Sequence, residues 1–182
     1  MTSRLVAVET TTRIASVALF EDGAHVASLS REAQGDACLP MIDELLRSRS
    51  LSPRDIARWA VDIGPGSFTG VRVGLSTVKG IAFATGAEIV AVTAFDALAE
   101  DAIAILEAGK GEVYFRIPHI DPGHAPLEAV KTMIADRTER VIGPGVVPTA
   151  EHVGRLALSR TPVNIDTLEP LYVRAPDLTK PR

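Results

Sequence analysis

Cysteine is nearly absent. Cys38 is the only one, so no disulfide can form within the chain. A lone thiol fits a reducing compartment, and a cytoplasmic location is the expectation. Aromatic residues are also scarce, at 4%. The core must then be filled by Val, Ile, Leu and Ala, the usual material of layered strands and helices. No apolar run reaches the ~18–20 residues that a membrane span needs, so no membrane partner is expected. Met1 to Arg4 leads straight into a strand-like segment, without the apolar region or cleavage site of a signal peptide. An excess of basic residues is missing too: the formal net charge is −4. A protein that binds nucleic acid unaided usually presents a basic face to the phosphates. Any RNA contact is therefore expected through a partner.

Histidine is sparse as well. None of His25, His119, His124 and His152 stands four residues from another, so no helix displays the paired ligands common in zinc and iron sites. Glu9 closes the first apolar run and could be either a catalytic carboxylate or a solvated strand-end charge. Thr10 to Thr12 follow it with no base nearby to activate them.

What is present reads as strands and helices in alternation. Leu5–Val8, Ala15–Phe20 and Ala24–Leu29 predict a three-strand meander, with Asp22-Gly23 as a hairpin turn. Helical spacing of Leu39, Ile42, Leu45 and Leu46 predicts a helix from Asp36, as N-cap, to Ser48. Ser52-Pro53 opens a short helix, and Trp59–Ile63 reads as a buried strand. A second long helix is predicted over Val71–Ala84, with Val71, Leu75, Val78 and Ala82 as its stripe. Its glycines Gly74 and Gly80 each weaken it by roughly 1 kcal/mol relative to Ala. They serve either packing inside the domain or the approach of another backbone. Further on come a strand at Glu88–Val92, a helix from Ala94, and a hairpin of Ile103–Leu106 with Glu112–Ile117. A proline-rich loop over Pro118–Pro126, a helix over Leu127–Ala135 and a strand at Arg140–Ile142 follow. The strand-Gly-Pro-Gly string at Val61–Gly66 recurs at Val141–Gly145, as a duplicated lobe or a chance repeat. A lobe boundary is expected between residues 1–101 and 102–182.

The segment Gly64-Pro65-Gly66-Ser67-Phe68-Thr69-Gly70 joins a strand to a helix. Such a turn offers backbone N–H groups beside a helix N-terminus, which favours anions. It lacks the Gly-Lys-Ser/Thr of a Walker loop. A nucleophile elbow would need glycines where Pro65 and Thr69 stand. A dinucleotide fingerprint fails by one place, since its last glycine would fall at Thr69 rather than Gly70. An NADP-binding enzyme therefore stays open as an alternative.

Several strings together resemble the TsaB family, also called YeaZ: Leu5–Thr12, Ala15–Leu19, Leu39–Leu46, Gly64–Leu75 and Pro170–Arg174. The resemblance implies an α/β fold of the actin and sugar-kinase type (ASKHA, ribonuclease H-like), two-lobed with mixed sheets and here with a shortened second lobe. It also implies a non-catalytic subunit of the tRNA threonylcarbamoyladenosine complex. In that complex TsaD is the catalytic partner and carries the metal and ATP, and the ATPase TsaE joins the pair. The tRNA is reached only through the complex, and the subunit alone forms a homodimer. No cofactor is expected in this chain, with ATP or ADP at the partner interface left open. The partner-binding face is assigned to Leu39, Ile42, Leu45, Leu46, Val71, Gly74, Leu75, Val78 and Ala82. A degenerate nucleotide loop is assigned to Glu9, Thr10, Thr11, Gly64, Gly66, Ser67, Thr69 and Gly70. The family usually has Asp where Glu9 stands. Two other readings remain: that both helical stripes cover this chain's own sheet, and that the chain is an active ATPase or kinase of the same superfamily.

Overall fold

Two mixed sheets organise the molecule. The structure, a computed structural model, describes residues 2–32 and 37–174. The first three strands, β1 (Arg4–Glu9), β2 (Ile14–Glu21) and β3 (Ala24–Glu32), form the expected antiparallel meander. Asp22 and Gly23 both take positive φ at its first tight turn, the geometry that a two-residue hairpin needs. Helix α1 spans Cys38–Ser48, and a 3₁₀ turn at Pro53–Asp55 precedes β4 (Arg58–Asp62). Asp36, expected as the cap of α1, lies outside the described residues. Helix α2 runs over Phe68–Thr85, three residues longer at its start than the sequence stripe indicates. The Ser67 hydroxyl accepts from the Gly70 N–H and so caps it. Gly86, left-handed at φ 73°, ends it. Strand β5 (Glu88–Val92) completes the first sheet in the order β3-β2-β1-β4-β5.

Both faces of this sheet are buried. Val6, Val8, Val17, Leu19, Trp59 and Val61 pack against α1 and α2. Leu5, Ala7, Ala18, Phe20, Ala60 and Val90 face the opposite way. Burial on both sides is why these strands read as continuous apolar runs rather than alternating ones.

The chain then passes through α3 (Ala94–Leu98) into β6 (Ile103–Gly109), β7 (Glu112–Arg116), β8 (Gly123–Pro126), α4 (Leu127–Met133) and β9 (Val141–Ile142). The second sheet has the order β8-β7-β6-β9. Each sheet is thus a three-strand meander with a fourth strand parallel to the first. The two Gly-Pro-Gly strings follow the fourth strand in each. The repeat noticed in the sequence therefore occupies equivalent places in both sheets.

Two elements differ from the sequence expectation. Residues Gly123–Pro126, expected as loop, pair with β7. Helix α5 (Ala150–Ala157), which no stripe of large side chains announces, returns to the first sheet and seats Ala150, Val153 and Ala157 on Phe20 and its neighbours. A side chain at Gly154 would overlap the Phe20 ring, so α5 lies very close to the strands. A division of the chain at 101/102 remains a proposal: the sheets change between β5 and β6, and α5 crosses back.

Candidate functional site

Strand β1 ends where α2 begins, and the glycines of the loop serve that junction. The Thr11 carbonyl accepts from the Ser67 N–H at 2.7 Å. The Thr10 hydroxyl donates to the Gly70 carbonyl at 2.7 Å. Side chains at Gly66, Gly70 or Gly74 would overlap Thr11, the Thr10 carbonyl or the Thr10 hydroxyl respectively. Three glycines four residues apart thus make a flat track for the Thr10–Thr11 backbone. Gly74, assigned from sequence to a partner, is used inside the chain.

The carboxylates at the strand ends are committed as well. Glu9 and Asp62 are fully buried at the ends of the neighbouring parallel strands β1 and β4. Glu9 Oε1 accepts from the Thr11 N–H at 2.6 Å, the Thr11 hydroxyl at 2.7 Å and the Thr12 N–H at 3.2 Å. Burial pushes the Glu9 pKa up to about 7, against the pull of those hydrogen bonds. Asp62 Oδ1 accepts from the Gly64 N–H at 2.7 Å, and its other oxygen has no partner. Burial, and then the neighbouring Glu9 charge, holds the Asp62 carboxyl well above the usual range. The Glu9 side chain folds back as a cap on its own turn.

A cleft of about 1050 Å³ opens between the sheets, next to this junction. Thr10–Ile14 and Pro65–Val71 form one wall, Leu106–Gly109 and Tyr114 another, and Leu171–Arg174 run along it. Ser67 and Thr69 reach it, whereas Glu9 and Asp62 do not line it. The Gly64, Ser67 and Gly70 N–H groups are all taken by internal acceptors. Glu9 and Asp62 are therefore closed off from a metal in the cleft, and these three N–H groups are not available to a phosphate. Among the described residues no group of three His, Cys, Asp or Glu side chains could hold a metal ion.

The expected partner face lies largely inside this chain. Ile42, Leu45, Leu46, Val71, Gly74, Leu75, Val78 and Ala82 are all buried within this chain. All but Val71 and Gly74 belong to the core between α1, α2 and the first sheet. An amphipathic helix spends its large apolar stripe on its own sheet first, and these two do so. Of the nine residues named, Leu39 alone is exposed, at 56%.

The opposite faces of the same helices carry a different set. Phe83 of α2 is 82% exposed, the highest value of any large apolar side chain among the described residues. Gly80, one turn earlier, opens onto free space, and Ser76 is exposed one turn before that. The Cys38 thiol lies against the Thr77 hydroxyl and places the start of α1 beside the middle of α2. Phe83 lies outside the helical stripe that sequence reading selects. A large ring on the polar side of an amphipathic helix is the signal that could have found it.

A family profile described as "TsaD: tRNA N6-adenosine threonylcarbamoyltransferase" matches residues 26–169. The tRNA threonylcarbamoyladenosine biosynthesis protein TsaB of Haemophilus influenzae is 35% identical over 122 residues, covering 61% of this chain and 52% of that protein. The Escherichia coli protein of the same name is 35% identical over 124 residues, covering 62% and 53%. The chain belongs to this family, in its TsaB/YeaZ branch. It spans about half the length of the curated relatives it matches. The solved structure of YeaZ from Pseudomonas aeruginosa superposes with a TM-score of 0.76 at 24% identity, over 93% of this chain and 99% of that one. A second Pseudomonas aeruginosa structure, described as an uncharacterized protein with similarity to peptidase YEAZ, gives 0.77 at 24% identity over 94% and 100%. The fold is thus the two-lobed, mixed-sheet, actin-like one. Among the described residues no helix is long and apolar enough to cross a membrane.

Proposed function

We propose that this TsaB/YeaZ-family chain is a non-catalytic partner subunit in tRNA threonylcarbamoyladenosine formation, and that it docks a TsaD-type catalytic subunit on the outer face of α1 and α2. The observation that carries the reading is Phe83, exposed at the end of a stripe that includes Ser76 and Gly80. Two small residues beside one large ring suit close packing of a helix from another chain. Leu39 and Pro40 of α1 are exposed as well and extend the face with apolar surface. A specific interface of ordinary size buries ~1,600 Å² in total, with a few aromatic anchors contributing most. A TsaE-type ATPase then joins the pair, and tRNA is met through the assembly, in keeping with the net charge of −4. In the absence of a TsaD-type chain, the same face pairs two copies of this one.

A non-catalytic role is supported by the fate of the strand-end carboxylates. Both are sealed from the cleft, and one of them caps its own turn. A kinase-like step would need them open to a metal-bound nucleotide.

Co-purification with the TsaD-type subunit of the same organism tests the reading. Phe83→Asp and Gly80→Arg should lower capture at least tenfold while leaving the chain cooperatively folded, because neither position is packed against this chain. Capture of both variants at wild-type strength would place the interface elsewhere. ATP turnover by the purified chain alone would revive the ATPase reading.

A further inference from the structure

We propose that Leu168–Arg174 is a strap that locks the two sheets at one separation and so sets the width of the cleft. Its first half is bound to the first sheet and α2. The Leu168 side chain is buried in the core beneath α1 and α2, and Lys79 Nζ donates to its carbonyl at 3.1 Å. The Leu171 N–H donates to the Ile63 carbonyl at 2.8 Å. The Tyr172 hydroxyl accepts from Arg72 Nε at 2.7 Å, and its ring lies 5.6 Å from that of Phe68, which Arg72 covers at 3.8 Å.

The second half is bound to the other sheet. Val173 packs with Leu106, Ala104 and Tyr114, beside Ala94 and Phe95 of α3. Arg174 Nη1 donates to Glu112 Oε2 at 2.9 Å. Within seven residues the chain passes from one sheet to the other along the cleft it lines.

The attachment points explain why this matters. Strand β7 is held at both ends by different elements. Its last residue, Arg116, bonds to Asp96 and to the Ala99 carbonyl, which belong to α3 and its exit. Its first residue, Glu112, bonds to the strap. The two ends are roughly 13 Å apart at the usual strand rise. One attachment would leave the second sheet free to rotate about α3, and two remove that rotation. The strap's anchors Arg72 and Lys79 lie on α2, so the strap is set by the same helix that bears Phe83.

Spin labels at Ser28→Cys and Thr132→Cys, exposed positions on β3 and α4, report the separation of the sheets; the native Cys38 is buried and does not compete. In the otherwise unaltered chain the distance distribution should be single and narrow. Tyr172→Ala combined with Arg174→Ala should at least double its width. Arg72→Gln, which releases Tyr172 from outside the core, should broaden it without threatening the fold. Arg174→Glu should broaden it, and adding Glu112→Arg should narrow it again. An unchanged width in folded Arg72→Gln and in Arg174→Glu overturns the proposal. The measurement uses the isolated chain, so its outcome is independent of whether a TsaD-type partner binds.

Discussion

Thr10 stands against Gly70 so closely that its hydroxyl donates to the Gly70 carbonyl at 2.7 Å while its own carbonyl fills the space a side chain there would need. The first strand and the second helix are thereby joined through backbone. The glycines of the Gly-Pro-Gly-Ser-Phe-Thr-Gly string thus serve packing against the first strand.

The glycines of α2 should respond in opposite directions to one change. Gly74→Ala drives a methyl into the Thr10 hydroxyl. Overpacking of this kind costs about 1–3 kcal/mol, which lowers the thermal midpoint by roughly 2–10 °C in a chain of this size. Gly80→Ala meets nothing within 4 Å, and removes a flexible residue from a helix interior. It should stabilise by about 0.5–1 kcal/mol. Calorimetry on both variants checks the contrast. Equal shifts of the same sign would mean that Gly74 is not seated against β1.

Ile42→Asp and Phe83→Asp separate folding from docking. Ile42 is buried in the core, and an unpaired charge there costs several kcal/mol. That variant should be unfolded or molten by circular dichroism. Phe83→Asp should keep the wild-type spectrum, yet sediment as a monomer at concentrations where the unaltered chain is expected to sediment as a dimer. A folded Ile42→Asp that has lost only its partner would restore the face expected from sequence.

Much of the first sheet was legible because its strands are buried on both sides, so that Leu5–Val8 and Ala15–Phe20 stand out as unbroken apolar runs. The turn at Asp22-Gly23 was legible from chemistry that only a few residues can satisfy. The proposed docking face was not. Helical periodicity finds the buried stripe of α1 and α2, and it is silent on whether the cover is this chain's own sheet or another chain. Here the sheet takes Ile42, Leu45, Leu75 and Val78, and the outer face is left to Ser76, Gly80 and Phe83. Helix α5 escaped notice because its inner face is Ala150, Val153, Gly154 and Ala157. Small residues give little hydrophobic contrast, and close approach to Phe20 needs them small. Strand β8 escaped because Gly123-His124-Ala125-Pro126 has poor strand propensity. Pairing with β7 decides its state, and Gly123 is required because a side chain there would overlap Phe115.

The Asp96 cluster should be a strong point of the junction between α3, β7 and the segment after α5. Asp96 accepts from Arg116 and, at 2.9 Å, from Arg160. Asp96→Ala leaves the largely buried Arg116 without its carboxylate. The cost should be about 2–4 kcal/mol, read from urea midpoints. Burial pushes the Asp96 carboxyl up, but the Arg160 and Thr93 hydrogen bonds and the two guanidinium charges outweigh it and hold it below the usual value. Its contribution is therefore present above the unfolded pKa and is lost as pH falls through the folded one. A variant with wild-type stability would remove Asp96 from the set of structural anchors.

Glu9 should act in the opposite sense. Its folded pKa is raised to about 7 from an ordinary 4.5, so the folded state keeps a proton that the unfolded state gives up. The resulting stability is complete below about pH 4.5. It declines as pH rises and is gone above about pH 7, a loss of about 3 kcal/mol by linkage. Asp62 is shifted in the same direction and adds to the slope. Asp96 acts at lower pH and with the other sign, so a window from pH 5 to pH 8 isolates the buried pair. Urea midpoints should fall across that window for the unaltered chain. Glu9→Gln keeps an oxygen to accept from Thr11 and Thr12 while removing its own titration, and should make the fall clearly shallower, with Asp62 supplying what remains. If the Gln variant loses stability as steeply as the parent, the proton resides elsewhere, and the buried carboxylates at the ends of β1 and β4 do not form the coupled pair described above.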